Sequence, residues 1–171
     1  MSAGVWFDQA RDDLKAAVLL RDNKHYSQSV WFASQTIEKA QKALLLSMGL
    51  RLTDSHMKKR YSHVLKEIAG ELPREFGDAL PTERLVEVQG LAEACRYPSS
   101  ATGRAIAPCS NAAFSDVVAA DVVGTAADVL QWAEERARWA VLGLKAVQQA
   151  AEAAGLVIAV DDEGAGGQSD G

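Results

Sequence analysis

Residues 26–49, YSQSVWFASQTIEKAQKALLLSMG, decide the fold because they carry the clearest helical pattern in the chain. Their apolar side chains recur at alternating steps of four and three residues, at Tyr26, Val30, Ala33, Ile37, Ala40 and Leu44. This spacing places them on one face of an α-helix. Gly49 then offers the left-handed conformation that commonly ends a helix. We therefore predict a helix over residues 26–48.

Shorter stretches with the same spacing lie before and after this helix. They predict a helix over residues 6–21, a short helix over 62–69 that Gly70 ends, and a helix that opens at Pro81 and ends near residue 96. Proline in the first turn and glycine after the last are usual at helix termini. The chain thus reads as a series of helices.

A much longer helical pattern follows Ser110 and Asn111, which are good N-cap residues, and it continues to Ala151. A helix of about 40 residues spans ~60 Å at a rise of ~1.5 Å per residue, which exceeds the size of one small domain. We therefore expect a bend near Gly124 or Gly143, or an end that protrudes and packs elsewhere.

Composition favours one all-α domain. The 171 residues are enough to bury one sizeable core. Aromatic residues make up 6% and there are four prolines, which favours helices over a β-sandwich. No stretch approaches the ~20 apolar residues that a membrane-spanning helix needs, so we expect a cytoplasmic protein. Two cysteines predict free thiols rather than a disulfide framework.

The acidic charge of the chain is concentrated in its C-terminal segment. Residues 156–171 hold Asp161, Asp162, Glu163 and Asp170 and no Lys or Arg, so taking these four from the net charge of −5 leaves −1. A nearly neutral body neither requires nor excludes a nucleic-acid partner. We predict a helical domain over residues 1–155 and a disordered, Gly-rich tail over residues 156–171.

Four short motifs follow one another between residues 6 and 132. They are Trp6 with Asp12-Asp13-Leu14, the second-helix run Gln35-x-x-Glu38-Lys39-Ala40-x-Lys42-Ala43, then Ser62-His63-Val64-Leu65, and Arg96-Tyr97-Pro98. In this order they resemble the motifs of the HEPN family (higher eukaryotes and prokaryotes nucleotide-binding). The second-helix run resembles the signature of the group and is the most specific of the four.

The resemblance implies an all-α, up-and-down bundle of about five helices with a long C-terminal helix. It also implies a homodimer that often works beside a nucleotidyltransferase. Family functions divide between nucleotide binding and RNA cleavage by toxins of toxin–antitoxin pairs, so the fold does not settle the function. We predict no cofactor.

Within the signature, Trp31, Gln35, Glu38 and Lys42 share one helix face beside the apolar stripe. One interpretation is a solvated face that the Glu38–Lys42 pair stabilises. The other is a dimer interface or ligand cleft, in which Lys42 and Lys39 offer charge to phosphate and Gln35 offers paired hydrogen bonds.

RNA-cleaving members of the family carry an arginine followed, four to six residues later, by a histidine near the later helix. The histidine moves a proton and the arginine stabilises the charged phosphorane. The last histidine here is His63, so Arg96 and Arg104 have no such partner downstream. Arg51 and His56 have the spacing but lie after helix two, and we interpret this match as a coincidence. Arg21 and His25 are one residue short of this spacing and span a helix junction, so both pairs remain only weak catalytic candidates.

Other residues of the family motifs suit phosphate binding without catalysis. Arg96, Tyr97 and Arg104 lie in or beside a loop predicted over residues 98–108, and arginine offers bidentate donors to phosphate. His63 either bonds backbone at a helix start or approaches the Arg96 turn. A metal site is not predicted, because no third ligand accompanies His56 and His63.

Three hypotheses follow from these patterns. The intact signature and the missing histidine favour a non-catalytic, dimeric module that binds a nucleotide or phosphate and acts with a nucleotidyltransferase. An RNA-cleaving toxin with a displaced Arg51–His56 site is the alternative. A helical scaffold that docks a partner on its long last helix, near Trp132 and Trp139, is the third.

Overall fold

The computed structural model describes residues 2–49, 64–72, 82–96 and 114–153, and all regular secondary structure in these ranges is helical. The five helices are α1 (Ala3–Asp22), α2 (Tyr26–Ser47), α3 (Leu65–Gly70), α4 (Thr82–Ala94) and α5 (Asp116–Ala153). The predicted all-α bundle of about five helices with a long C-terminal helix is confirmed. In the described part of the chain, no helix is long and apolar enough to cross a membrane.

Helix α2 is the centre of the bundle and packs most extensively against α1 and α5. Its predicted apolar stripe is buried, with Val30, Ala33, Ile37, Ala40 and Leu44 fully inaccessible. The same helix also buries polar groups on its other faces, including Ser29, whose Oγ donates a 2.7 Å hydrogen bond to the Ala17 carbonyl. The central position explains why residues 26–49 have the most regular pattern.

The turns at the ends of α1 and α2 use left-handed residues. Lys24, with φ of 64°, turns the chain between the two helices, and the backbone N–H of His25 donates to the Leu20 carbonyl at 2.8 Å. Gly49, with φ of 76°, follows α2 as predicted, and its N–H donates to the Leu46 carbonyl. Glycine reaches this conformation without the steric penalty that a side chain adds.

The start of α5 differs from the prediction. The helix begins at Asp116 because Ser115 caps it: the Ser115 Oγ accepts a 3.3 Å hydrogen bond from the Val118 N–H, and the Ser115 carbonyl accepts one from Ala119. The predicted cap pair, Ser110 and Asn111, lies outside the described residues. A serine adjoining an acidic first turn is the stronger helix start.

The far end of α5 projects from the bundle. The helix continues through both Gly124 and Gly143. Ala137 is buried, whereas every residue from 141 to 150 is exposed. Of the two outcomes expected for so long a helix, the structure has the protruding end. The predicted tail at residues 156–171 lies outside the described residues.

Candidate functional site

The polar stripe of α2 faces the C-terminal end of α4 across a small pocket. The cavity has a volume of about 20 Å³. Its lining comes from α2, α3 and α4 and the residue after α4: Trp31, Ser34, Gln35, Glu38, Leu65, Gln89, Ala92, Glu93 and Arg96. A volume of this size holds about one water molecule, so a nucleoside does not fit inside it.

Arg96 forms the exposed rim of the pocket. Its guanidinium carbon lies 4.9 Å from the centroid of the half-buried Trp31 ring, which is a cation–π contact. The contact joins the end of α4 to the second turn of α2 and restricts a side chain that otherwise samples many rotamers. The sequence predicted both residues for the site, and the structure brings them together.

Gln89 and Glu93 form the α4 wall of the pocket, and neither residue was predicted from the sequence. The Gln89 Nε2 donates to Glu93 Oε1 at 3.0 Å, and the Gln89 Oε1 accepts from the Leu65 N–H at 3.2 Å. Gln89 therefore also satisfies a backbone donor in the first turn of α3. Gln89 and Glu93 are four residues apart on a predicted helix, and this spacing could have identified them as a side-chain pair.

The Glu38–Lys42 pair is present as predicted, but it is buried rather than solvated. The Lys42 Nζ donates to Glu38 Oε1 at 2.7 Å, and the two side chains are 6% and 5% exposed. Lys42 also lies over the Trp6 ring, 5.3 Å from its centroid. The interpretation of a solvated face is therefore wrong for these two residues. The Lys42 charge is balanced inside the bundle.

Lys39 lies on a different side of α2 from the pocket. Its ammonium group is paired with the buried carboxylate of Asp13 on α1, which also accepts a 3.2 Å hydrogen bond from Gln9. Lys39 joins α1 to α2, and its charge does not line the pocket.

Cys95 lies behind the pocket rim and is half-buried. Burial raises the pKa of its thiol to about 12, and a hydrogen bond with the backbone of Trp31 only partly opposes this effect. A thiol with this pKa stays protonated near neutral pH and is a poor nucleophile. Cys95 is therefore a packing residue in this site.

Several predicted site residues lie outside the described ranges. They are Arg51, His56, His63, Tyr97 and Arg104. Within the described ranges the only histidine is His25, which is exposed just before α2. Arg21 is the arginine that precedes His25 in the second weak catalytic pair, and its guanidinium donates to Asp22 Oδ1 at 2.8 Å.

Gln41 is a second feature that the sequence did not reveal. It is 1% exposed, and among the described residues neither its amide nitrogen nor its amide oxygen has a hydrogen-bond partner. It lies one turn from both Ile37 and Leu44 on the apolar side of α2, so the periodic pattern marks its position but not its polarity.

Both the sequence motifs and the fold of this chain are similar to those of known proteins. The family model of the HEPN domain matches residues 3–136. TT1696 from Thermus thermophilus is similar in structure, with a TM-score of 0.62 and 22% identity over 78% of this chain and 97% of that one. ST0689, described as an archaeal HEPN homologue, gives a TM-score of 0.59 and 19% identity over 80% and 98% of the two chains.

A search of curated proteins finds no match. The structural neighbours share the fold at low identity, and the family match covers most of the chain, including all four motifs that carry the sequence resemblance. The chain belongs to the HEPN family.

Proposed function

We propose that this chain is a non-catalytic HEPN module that binds a phosphate group of a nucleotide or RNA on the face formed by Trp31, Gln35 and Arg96. The observation that carries the proposal is the Arg96 guanidinium held on the Trp31 ring at 4.9 Å. A guanidinium fixed by stacking loses less rotamer freedom when it binds a phosphate through paired hydrogen bonds. The Gln35 and Gln89 amides donate one N–H each to Glu38 and Glu93, and the second N–H of each amide would be the donor to a ligand.

The internal ion pairs support Arg96 as the cation that serves this face. Lys42 is balanced by Glu38 and Lys39 by Asp13, so the two signature lysines stabilise the bundle. Arg96 is exposed at the rim. The signature helix therefore provides a rigid platform, and the arginine after α4 provides the recognition group.

The small volume of the pocket supports a shallow surface site, of which this chain supplies one half. A ligand larger than water has to lie across the rim rather than inside the 20 Å³ cavity. Half-exposed tryptophan and exposed arginine are also residues that dominate protein interfaces. We propose that a second copy completes the site, and that the homodimer acts in the cytoplasm with a nucleotidyltransferase partner.

The binding proposal is tested by isothermal titration of the full chain with ATP, GTP and a short RNA. We expect Arg96→Gln to weaken binding at least tenfold, because a charge-assisted hydrogen bond contributes about 1.5–3 kcal/mol. Arg138→Gln is the matched control, since Arg138 is 74% exposed on α5 and does not line the pocket. Its affinity should equal that of the wild type.

Two results would overturn the proposal. One is the absence of binding to all three ligands together with a monomeric mass in sedimentation velocity. The other is growth arrest on expression that an Arg51→Ala/His56→Ala double variant relieves, because this outcome assigns the protein to the RNA-cleaving toxins.

A further inference from the structure

The pocket beside Arg96 carries carboxylates as well as the guanidinium. Glu38 and Glu93 are its acidic members, and Arg96 is the one cation among the described residues that line it. Glu38 is buried, and its charge is paired with Lys42, whose Nζ lies 2.7 Å from Glu38 Oε1. Lys66 of α3 lines a separate cavity. Glu93 is therefore the carboxylate whose charge a ligand of Arg96 encounters.

Glu93 and Arg96 belong to the same turn at the end of α4. The Arg96 backbone N–H donates to the Glu93 carbonyl at 3.1 Å, and residues three apart in a helical turn have Cβ atoms about 5–6 Å apart. Both residues are exposed, and both line the pocket. Because the Trp31 ring holds the Arg96 guanidinium on this side of α4, a phosphate bound to it lies close to the Glu93 carboxylate.

Gln89 fixes the Glu93 carboxylate without neutralising it. The Gln89 Nε2 donates to Glu93 Oε1 at 3.0 Å, and the Gln89 Oε1 accepts from the Leu65 N–H, which orients the amide. An amide donor carries no net charge. Within the described ranges, no Lys or Arg forms a salt bridge with Glu93. Glu93 therefore presents a fixed negative charge beside the phosphate-binding arginine.

The charge of a phosphate group decides how it tolerates this neighbour. A phosphodiester carries one negative charge, which one guanidinium balances, whereas a terminal phosphate carries about −1.5 to −2 near neutral pH. The guanidinium of Arg96 leaves the additional charge unbalanced, and the Glu93 carboxylate repels it. At a separation of ~6 Å in water, repulsion between two unit charges lowers affinity about threefold.

We propose that Glu93 is a specificity-determining residue of the face formed by Trp31, Gln35 and Arg96, which accepts a singly charged phosphodiester and disfavours a terminal phosphate. This inference rests on the proposed function, because it concerns the ligand of the same face. The ligand is then an internal phosphodiester linkage, of a nucleic-acid strand or of a cyclic nucleotide, rather than the phosphate end of a nucleoside monophosphate or triphosphate.

The test compares adenosine 5′-monophosphate with its methyl ester, because the two ligands differ mainly in one phosphate charge. Chemical-shift titration of the full chain, followed at the Trp31 indole and Arg96 guanidinium signals, gives both dissociation constants. At ~0.01 M salt, where screening is weak, we expect the methyl ester to bind at least threefold more tightly. Glu93→Gln should remove this preference by strengthening binding of the monophosphate about threefold, since glutamine keeps the shape and removes the charge.

Glu135→Gln is the matched control and should keep the wild-type preference. Glu135 is exposed on α5, accepts a 3.0 Å hydrogen bond from Gln131 four residues earlier, and does not line the pocket. Equal or tighter binding of the monophosphate by the wild type, or an unchanged preference in Glu93→Gln, overturns this inference alone. Failure of both ligands to bind the wild type overturns the proposed function as well.

Two further ligands identify the source of the linkage. A dinucleotide of adenosine without a terminal phosphate stands for a nucleic-acid strand, and 3′,5′-cyclic adenosine monophosphate stands for a cyclic nucleotide. Each has one phosphodiester charge. At least one of them should bind the wild type more tightly than adenosine 5′-monophosphate does, and the tighter of the two identifies the source. Weaker binding of both than of the monophosphate contradicts the inference.

Discussion

Individual residues of α2 carry a mixture of roles that their spacing does not reveal. Glu38 and Lys42 form a buried ion pair, and Gln35 donates a long, 3.4 Å hydrogen bond to the same carboxylate. Removing one member of such a pair leaves an uncompensated buried charge. Gln41, by contrast, is buried with no hydrogen-bond partner among the described residues, so no contact there offsets the cost of removing water from its amide.

Replacing Gln41 with methionine should therefore stabilise the protein. Methionine has a similar length and no polar atoms, so the free energy of unfolding should rise by about 1–2 kcal/mol. Urea denaturation followed by circular dichroism measures the change. Gln149→Met, at an exposed position of α5, should leave the free energy of unfolding nearly unchanged. A loss of stability in Gln41→Met would show that the amide has a stabilising role.

Helices are positioned by contacts at their ends as well as by their apolar faces. Arg84 near the start of α4 makes one such contact, because its guanidinium pairs with Glu87 and also with Asp121 on α5. Burial alone lowers the pKa of Arg84, but hydrogen bonds and charges from Glu87 and Asp121 outweigh it and raise the pKa. The Ser115 cap just before α5 is another, and it moves the start of the helix to Asp116.

The position of this cap can be tested with two serine substitutions. Ser115→Ala should lower the free energy of unfolding by about 1 kcal/mol, because it removes an N-cap side chain. Ser110→Ala, at the cap that the sequence predicted, should have little effect. Thermal and urea unfolding of both variants decide between the two positions. A larger loss in Ser110→Ala would restore the predicted helix start.

The whole molecule consists of a helical bundle and the end of α5 that protrudes from it. The core involves all five helices, and among the described residues Ala137 is its last buried member along the chain. Residues 141–150 are exposed throughout. In the protruding extension of α5 (residues 140–153), none of the described side chains belongs to the buried core. Since burial of apolar area supplies most of the stability of a fold, the extension should be nearly independent of bundle stability.

A chain that ends at Lys145 should therefore unfold at the same temperature as the full chain, within about 2 °C, since a change of 1 kcal/mol shifts the midpoint of a domain this size by ~2–4 °C or more. Differential scanning calorimetry measures both midpoints. A chain that ends at Ala133 is the control and should unfold at a clearly lower temperature, because it lacks the buried Ala137. A large drop in the unfolding temperature of the chain that ends at Lys145 would show that the protruding end of α5 contributes to the stability of the bundle.

Much of the architecture could be read from the sequence because helix periodicity is a local property. The stripe from Val30 to Leu44 predicts its own burial, and the sequence marks Trp31 and Arg96 separately as candidate binding residues. The contact between these two residues, 65 positions apart, depends on how α4 packs on α2. The pairing of Lys39 with Asp13 depends in the same way on α1.

The sequence by itself determined the helical class, the central helix, its Gly49 terminus and the family, because each follows from local spacing or from motifs in order. Only the tertiary structure decided that the signature lysines are neutralised inside the bundle and that the pocket is too small for a nucleoside. It also decided that the end of α5 is left uncovered. These facts depend on which helices meet, and burial and charge pairing are properties of those contacts rather than of any one segment.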